Sequence, residues 1–206
     1  MHLRISAGLV LGMVAAVSLQ AADTLTQGER DFAMSNMHAT RKLFLDSVAG
    51  LTPEQWNFKP APDRWSIAEC AEHLALSEDL LSGMAKGTLK TPAQPDKAEH
   101  GAPARAGDQK ILDAVVDRSH KAQAPEPLQP KHKFATPQEA VEHFRASRDA
   151  NIDYIEKTDD DLRAHFGQGP TGQPRDAYRW FLLMSAHTER HTNQIKEVKA
   201  DPGYPR

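Results

Sequence analysis

The sequence lacks the features that mark several functional classes. Cysteine occurs once, as Cys70, so no disulfide can form within the chain. Positive charge is not in excess: 25 Lys and Arg stand against 28 Asp and Glu, for a formal net charge of −3. With no basic stripe, nucleic acid is not an expected partner. There is no glycine-rich phosphate loop, no nucleophile elbow, no internal repeat and no convincing strand. Long apolar runs are also scarce. The one such run, Ile5 to Leu19, is too short for a confident membrane span.

That run follows a short basic start, Met1 to Arg4, and precedes the small residues Ala21 and Ala22. The pattern reads as a secretory signal peptide over residues 1–22. Leu19 and Gln20 are bulky for a cleavage site, so an uncleaved anchor is the alternative. Export implies a mature domain over residues 23–206, periplasmic or secreted, with no stable membrane span after the signal is removed. A chain of 206 residues is long enough for one domain with a real core.

Four long amphipathic stretches follow, which predicts an all-α four-helix bundle. The first runs from Thr24 to Gly50, with a capping box at Thr26 and Glu29 and a stripe of Leu25, Phe32, Asn36, Ala39 and Leu43. His38 lies off that stripe. A connector from Leu51 to Arg64 contains one helical turn at Thr52-Pro53-Glu54-Gln55, with Trp56 and Phe58 plugging one end of the bundle. The second helix starts at the capping box Ser66-Ile67-Ala68-Glu69 and runs to about Ala85. Ile67, Cys70, Ala71, Leu74, Leu81 and Ala85 form its stripe. His73 lies on a flank with Leu76, Leu80 and Met84, facing the interior only if this helix is broadly buried.

Residues 86–135 read as a partly irregular insertion between the second and third helices. Lys86 to Gly107 carries prolines and little apolar surface, so it is expected to hold little fixed structure. Asp108 to Ala122 suits a short amphipathic helix through Ile111, Leu112, Val115 and Val116. Its histidines, His100, His120 and His132, take no role. The third helix opens at the capping box Thr136-Pro137-Gln138-Glu139, with Pro at its first position and a stripe of Val141, Phe144, Ile152 and Ile155. Arg148 falls inside that stripe. It snorkels, pairs with a carboxylate, or faces a pocket as an anion-binding group. A loop rich in Gly and Pro, from Asp159 to Arg175, leads to the last helix.

The stretch from Asp176 to Lys199 carries the chemistry. Trp180, Leu183, Met184, Ile195 and Val198 share one helical side, and His187, His191 and Gln194 fall near its middle. Polar side chains on a buried stripe need partners. His187 and His191 are four apart, so their rings point the same way and suit a shared metal ion. With His73 they form a candidate triad drawn from facing helices. Three histidines leave coordination positions open, which suits catalysis. Gln194 lines the cavity or orients a ligand, and Arg190 flanks the triad and is expected to pair with an acid. Glu69 is most simply the acid of its capping box, with contact to the metal ligands as the functional alternative. Cys70 reads as a small core residue.

These residues resemble a known family. Asp63-Arg64-Trp65-Ser66-Ile67-Ala68-Glu69 followed by His73-Leu74 is similar to the second-helix signature of the DinB-like superfamily. Leu51-Thr52-Pro53-Glu54-Gln55-Trp56 is similar to its connector, and His187-x-x-Arg190-His191-x-x-Gln194 to its fourth-helix signature. Together they cover most of residues 24–85 and 176–199, and leave residues 86–135 uncovered. The resemblance implies an up-down-down-up bundle with a divalent transition metal, zinc or nickel foremost, held by His73, His187 and His191. It also implies chemistry of water or a low-molecular-weight thiol on a small-molecule substrate, as in a hydrolase or thiol S-transferase. The alternative is a non-catalytic metal-binding or partner-binding module in the cell envelope, with the insertion carrying the contacts. Bundles of this kind often form homodimers, but no stretch marks an interface.

Overall fold

The computed structural model describes residues 24–119, 123–170 and 172–206. The signal-peptide reading and His120 fall outside the described residues. Helices α1 (Gln27–Val48), α3 (Ile67–Thr88), α5 (Pro137–Lys157) and α6 (Ala177–Lys199) form the bundle. Between them lie the short α2 (Pro53–Asn57) and, in the insertion, α4 (Gly101–Val116). Among the described residues, no helix is long and apolar enough to cross a membrane.

Thr26 with Glu29 and Ser66 with Glu69 form the expected capping boxes, and Thr52 with Gln55 forms a further complete one. Each satisfies donors at a helix start that would otherwise lack intrahelical partners. At α5 only half of the box is made. The Thr136 hydroxyl accepts from Glu139 N–H, but the Glu139 carboxylate takes the Ala135 N–H instead.

Contacts between helices define the chain path. Thr88 meets Trp180 and His73 meets His187, so α3 and α6 are antiparallel. Asp79 meets His143 and Ser82 meets Asn151, so α3 and α5 run parallel. Arg41 pairs with Asp149 and Arg30 caps Ile155 and Thr158, so α1 and α5 are antiparallel. Tyr178 donates to the Glu29 carbonyl near the starts of α6 and α1, which run parallel. This is the up-down-down-up order.

Two apolar clusters fill the bundle, one around Trp180, Phe181 and Ile155, the other around Phe44, Phe144, Ile67 and Ile195. A polar layer separates them. Arg148, fully buried, makes a two-pronged bond to Glu78 at 3.0 and 2.6 Å. It also donates to Met37 O, Thr40 Oγ1, Met184 O and Thr188 Oγ1. Every guanidinium nitrogen is engaged, so Arg148 has no N–H left for an anion in a pocket, and the carboxylate pairing is the role that forms. Thr40 also corrects the stripe of α1. Its buried residues are Ala33, Met37, Thr40, Phe44 and Val48, while Ala39 is exposed. The bond from Arg148 turns a hydroxyl inward where apolar ranking favoured an alanine.

Three further expectations need correction. Helix α3 continues past Ala85 to Thr88, through Gly83 and Gly87. The loop before α6 contains a two-stranded antiparallel hairpin, β1 (Phe166–Gln168) with β2 (Pro174–Asp176). The insertion is more ordered than its composition suggested. Its helix starts at Gly101, because Pro103 sits in the first turn, where a missing N–H costs nothing. Gly107 lies inside this helix because a Cβ there would collide with the Arg179 guanidinium. Arg179 bonds Asp108 at 2.9 Å, and Arg163 bonds Asp108, Asp176 and Glu29. This buried network fastens α4 against the bundle.

A buried ion pair that loses one partner leaves an uncompensated charge. Arg148→Met is therefore expected to cost about 3–5 kcal/mol in chemical denaturation. The double variant Glu78→Leu/Arg148→Met should recover a substantial part of that loss. Additive losses would contradict the pairing.

Candidate metal centre

His73 projects from the second turn of α3, and His187 and His191 from successive turns of α6. Helix α3 is broadly buried in its first half, from Cys70 to Ala75, so the flank position of His73 faces inward. The three ligand nitrogens lie within 4.8 Å of one another. His73 Nε2 and His187 Nε2 are 3.1 Å apart. Two imidazole nitrogens on one tetrahedral ion at ordinary bond lengths stand about 3.3 Å apart. The His73–His187 pair stands near that spacing.

The far sides of two rings decide which nitrogens face the centre. His73 Nδ1 lies 2.7 Å from the Leu128 carbonyl oxygen. A carbonyl only accepts, so Nδ1 carries the proton and Nε2 presents a lone pair. His191 Nδ1 lies 2.9 Å from Gln194 Oε1, which leaves its Nε2 for the centre in the same way. Such bonds fix the tautomer and orientation of a metal-ligating histidine.

Burial holds the basicity of all three rings below the usual histidine value. For His187 and His191 the neighbouring imidazoles push the same way. The Leu128 carbonyl opposes the shift at His73, and Gln194 opposes it at His191. The rings are thus neutral near pH 7 and ready to bind a cation without first losing protons.

Trp65 closes one side. Its indole lies 4.8 Å from the His73 ring and stacks on His191 at 5.9 Å, centre to centre. The residue stands just before the Ser66 cap, a position where an apolar side chain commonly packs back onto its helix. That signal was available in the sequence, and Trp65 was not assigned to the site.

The other candidates fall into place around the triad. Gln194 presents its Oε1 to His191 Nδ1. Arg190 donates to the Val115 and Asp117 carbonyls and so holds the end of α4. Glu69 stays with its capping box and Lys59. Cys70 is fully buried in the apolar cluster, and burial pushes its thiol up to about 12. Among the described residues, no carboxylate bonds any of the three rings. The insertion contributes more than expected. Leu128 anchors His73, and Arg118 grips Glu197 with two bonds of 2.8 Å beside Gln194.

Comparison with known proteins agrees with this geometry. The family model of the DinB superfamily matches residues 36–195. The chain belongs to the DinB superfamily. It is 26% identical over 166 residues to YuaE of Bacillus subtilis (strain 168), covering 81% of this chain and 96% of that protein. Its fold is similar to that of YfiT from Bacillus subtilis, with a TM-score of 0.58 and 14% identity over 89% of this chain and 93% of that one. YfiT is described as a probable metal-dependent hydrolase with an unusual four-helix bundle topology. In this member of the superfamily, the residues fit a divalent ion: the three donors are neutral and convergent, and His73 and His191 are anchored on their outer sides.

Rings buried in the neutral state destabilise the fold on protonation. Because their folded basicity is lowered, stability is complete above pH about 6.5 and declines as pH falls below it. Chelated protein should lose stability through this range in urea titrations, and His187→Gln should lose less. Parallel pH profiles for the two proteins would contradict the neutral triad.

Proposed function

We propose that this chain is a metal-dependent hydrolase acting on a small-molecule substrate, with zinc or nickel held by His73, His187 and His191. The observation that carries the reading is the convergence of three neutral imidazoles, two of them anchored through Nδ1. The description of YfiT supports the reaction class. A divalent ion held by these three neutral donors would keep its full charge and would supply Lewis-acid activation of a substrate or water.

The chain's own residues shape the rest. Trp65 excludes water from one side of the triad. Gln194 holds the proton on His191 Nδ1, and Leu128 O holds the one on His73 Nδ1. The apolar run from Ile5 to Leu19 supports work outside the cytoplasm.

The test is elemental analysis of untagged protein beside His187→Ala, followed by a screen of ester, amide and phosphoester hydrolysis. The expected result is near-stoichiometric metal and chelator-sensitive turnover in the wild type, with both lost in the variant. Stoichiometric metal without turnover on any of these substrates would overturn the hydrolase reading. Absence of metal after reconstitution would overturn the metal site.

A further inference from the structure

The carbonyl that anchors His73 belongs to the insertion, so something must hold that carbonyl in place. Leu128 ends a short 3₁₀ turn, Glu126–Leu128, and its side chain is buried. Gln129 and Pro130 link it to Lys131, and Pro130 stiffens the link by fixing φ. At residues 131–133, three successive backbone N–H groups converge on one carboxylate, that of Glu72. The distances are 2.8 Å from Lys131, 3.1 Å from His132 and 3.0 Å from Lys133. His132 adopts φ 57, a left-handed conformation that costs energy for a residue with a side chain. That conformation points its N–H in line with those of its neighbours, forming a concave anion site of backbone donors.

Glu72 is only 7% exposed, and among the described residues no Lys or Arg side chain pairs with it. The nearby lysines are engaged elsewhere: Lys131 with Glu126, and Lys133 with the Pro127 carbonyl. The backbone donors therefore carry the compensation for this buried charge, which makes the clamp strong and geometrically specific. Glu72 immediately precedes His73 on α3. One residue thus grips the insertion from the bundle side, and the next accepts its positioning from the same insertion.

We propose that Glu72 is a positioning residue of the metal centre: it clamps the 131–133 turn and so keeps the Leu128 carbonyl on His73 Nδ1. The role rests on the triad being a metal site, and it adds a part for the insertion that the three histidines alone do not supply. Glu72→Gln places an amide N–H₂ where one carboxylate oxygen accepts, opposing the His132 or Lys131 and Lys133 donors. Glu72→Ala removes the clamp altogether.

The experiment compares metal-free wild type, Glu72→Gln and Glu72→Ala by long-range proton–nitrogen NMR of His73. It then measures zinc affinity by competition with a chromophoric chelator, with circular dichroism checking the fold. The wild type should hold His73 as the Nδ1–H tautomer. The variants should show mixed tautomers and zinc binding weakened about 10-fold, as for loss of an outer support of a metal ligand. An unchanged tautomer, or unchanged zinc affinity, in both folded variants would overturn the proposal. If the wild type itself binds no zinc, the metal reading fails, and the tautomer comparison alone then decides the role of Glu72. If neither variant folds, Glu72→Asp, which keeps the charge but shortens its reach, is put to the same two measurements.

Discussion

One buried guanidinium ties the bundle together. Arg148 stands on α5 and bonds residues of α1, α3 and α6, so all four long helices meet at a single group. A charge in that position is tolerated only if every donor is satisfied, and the requirement fixes helix register. Thr188, one of its partners, directly follows His187. Glu78, its counter-ion, lies just over a turn beyond His73. The bonds that compensate the charge therefore also set α3 against α6 at the level where the three imidazoles converge. A slip of either helix would unpair the guanidinium as well as separate the imidazoles.

The insertion is the second support. One end is fastened by the network of Arg163, Arg179, Asp108 and Asp176. The other passes over the triad, anchored at Arg118, Leu128 and the 131–133 turn. Its apolar content is small, so burial alone does not explain its order. Charge-assisted bonds to buried partners do. The candidate centre is thus built in two layers: imidazoles placed by core packing, and the tautomers of His73 and His191 set by a backbone and a side-chain acceptor on their outer faces.

Much of this was legible in sequence, for identifiable reasons. His187 and His191 announce themselves because two polar residues at helical spacing on an apolar stripe need a shared explanation. Local signals such as Thr26 with Glu29 and Ser66 with Glu69 are readable because cap and partner lie three residues apart. His73 was ambiguous because α3 is buried on several sides, and a single stripe does not describe it. The partners of Arg148 lie on three other helices, so its role could not be read from its own segment. The course of residues 86–135 was hidden for the same reason. Its order depends on Arg163 and Arg179, far along the chain, and its link to the centre is a backbone carbonyl at Leu128, an acceptor every residue type carries.

The central claim is that His73, His187 and His191 bind one ion and leave it an open position. X-ray absorption fine structure of the zinc-loaded protein tests this directly. The account predicts three imidazole nitrogens and an additional oxygen ligand at about 2.0–2.1 Å. Fewer than three imidazoles, a filled four-residue protein shell, or sulfur scattering at about 2.3 Å would contradict it.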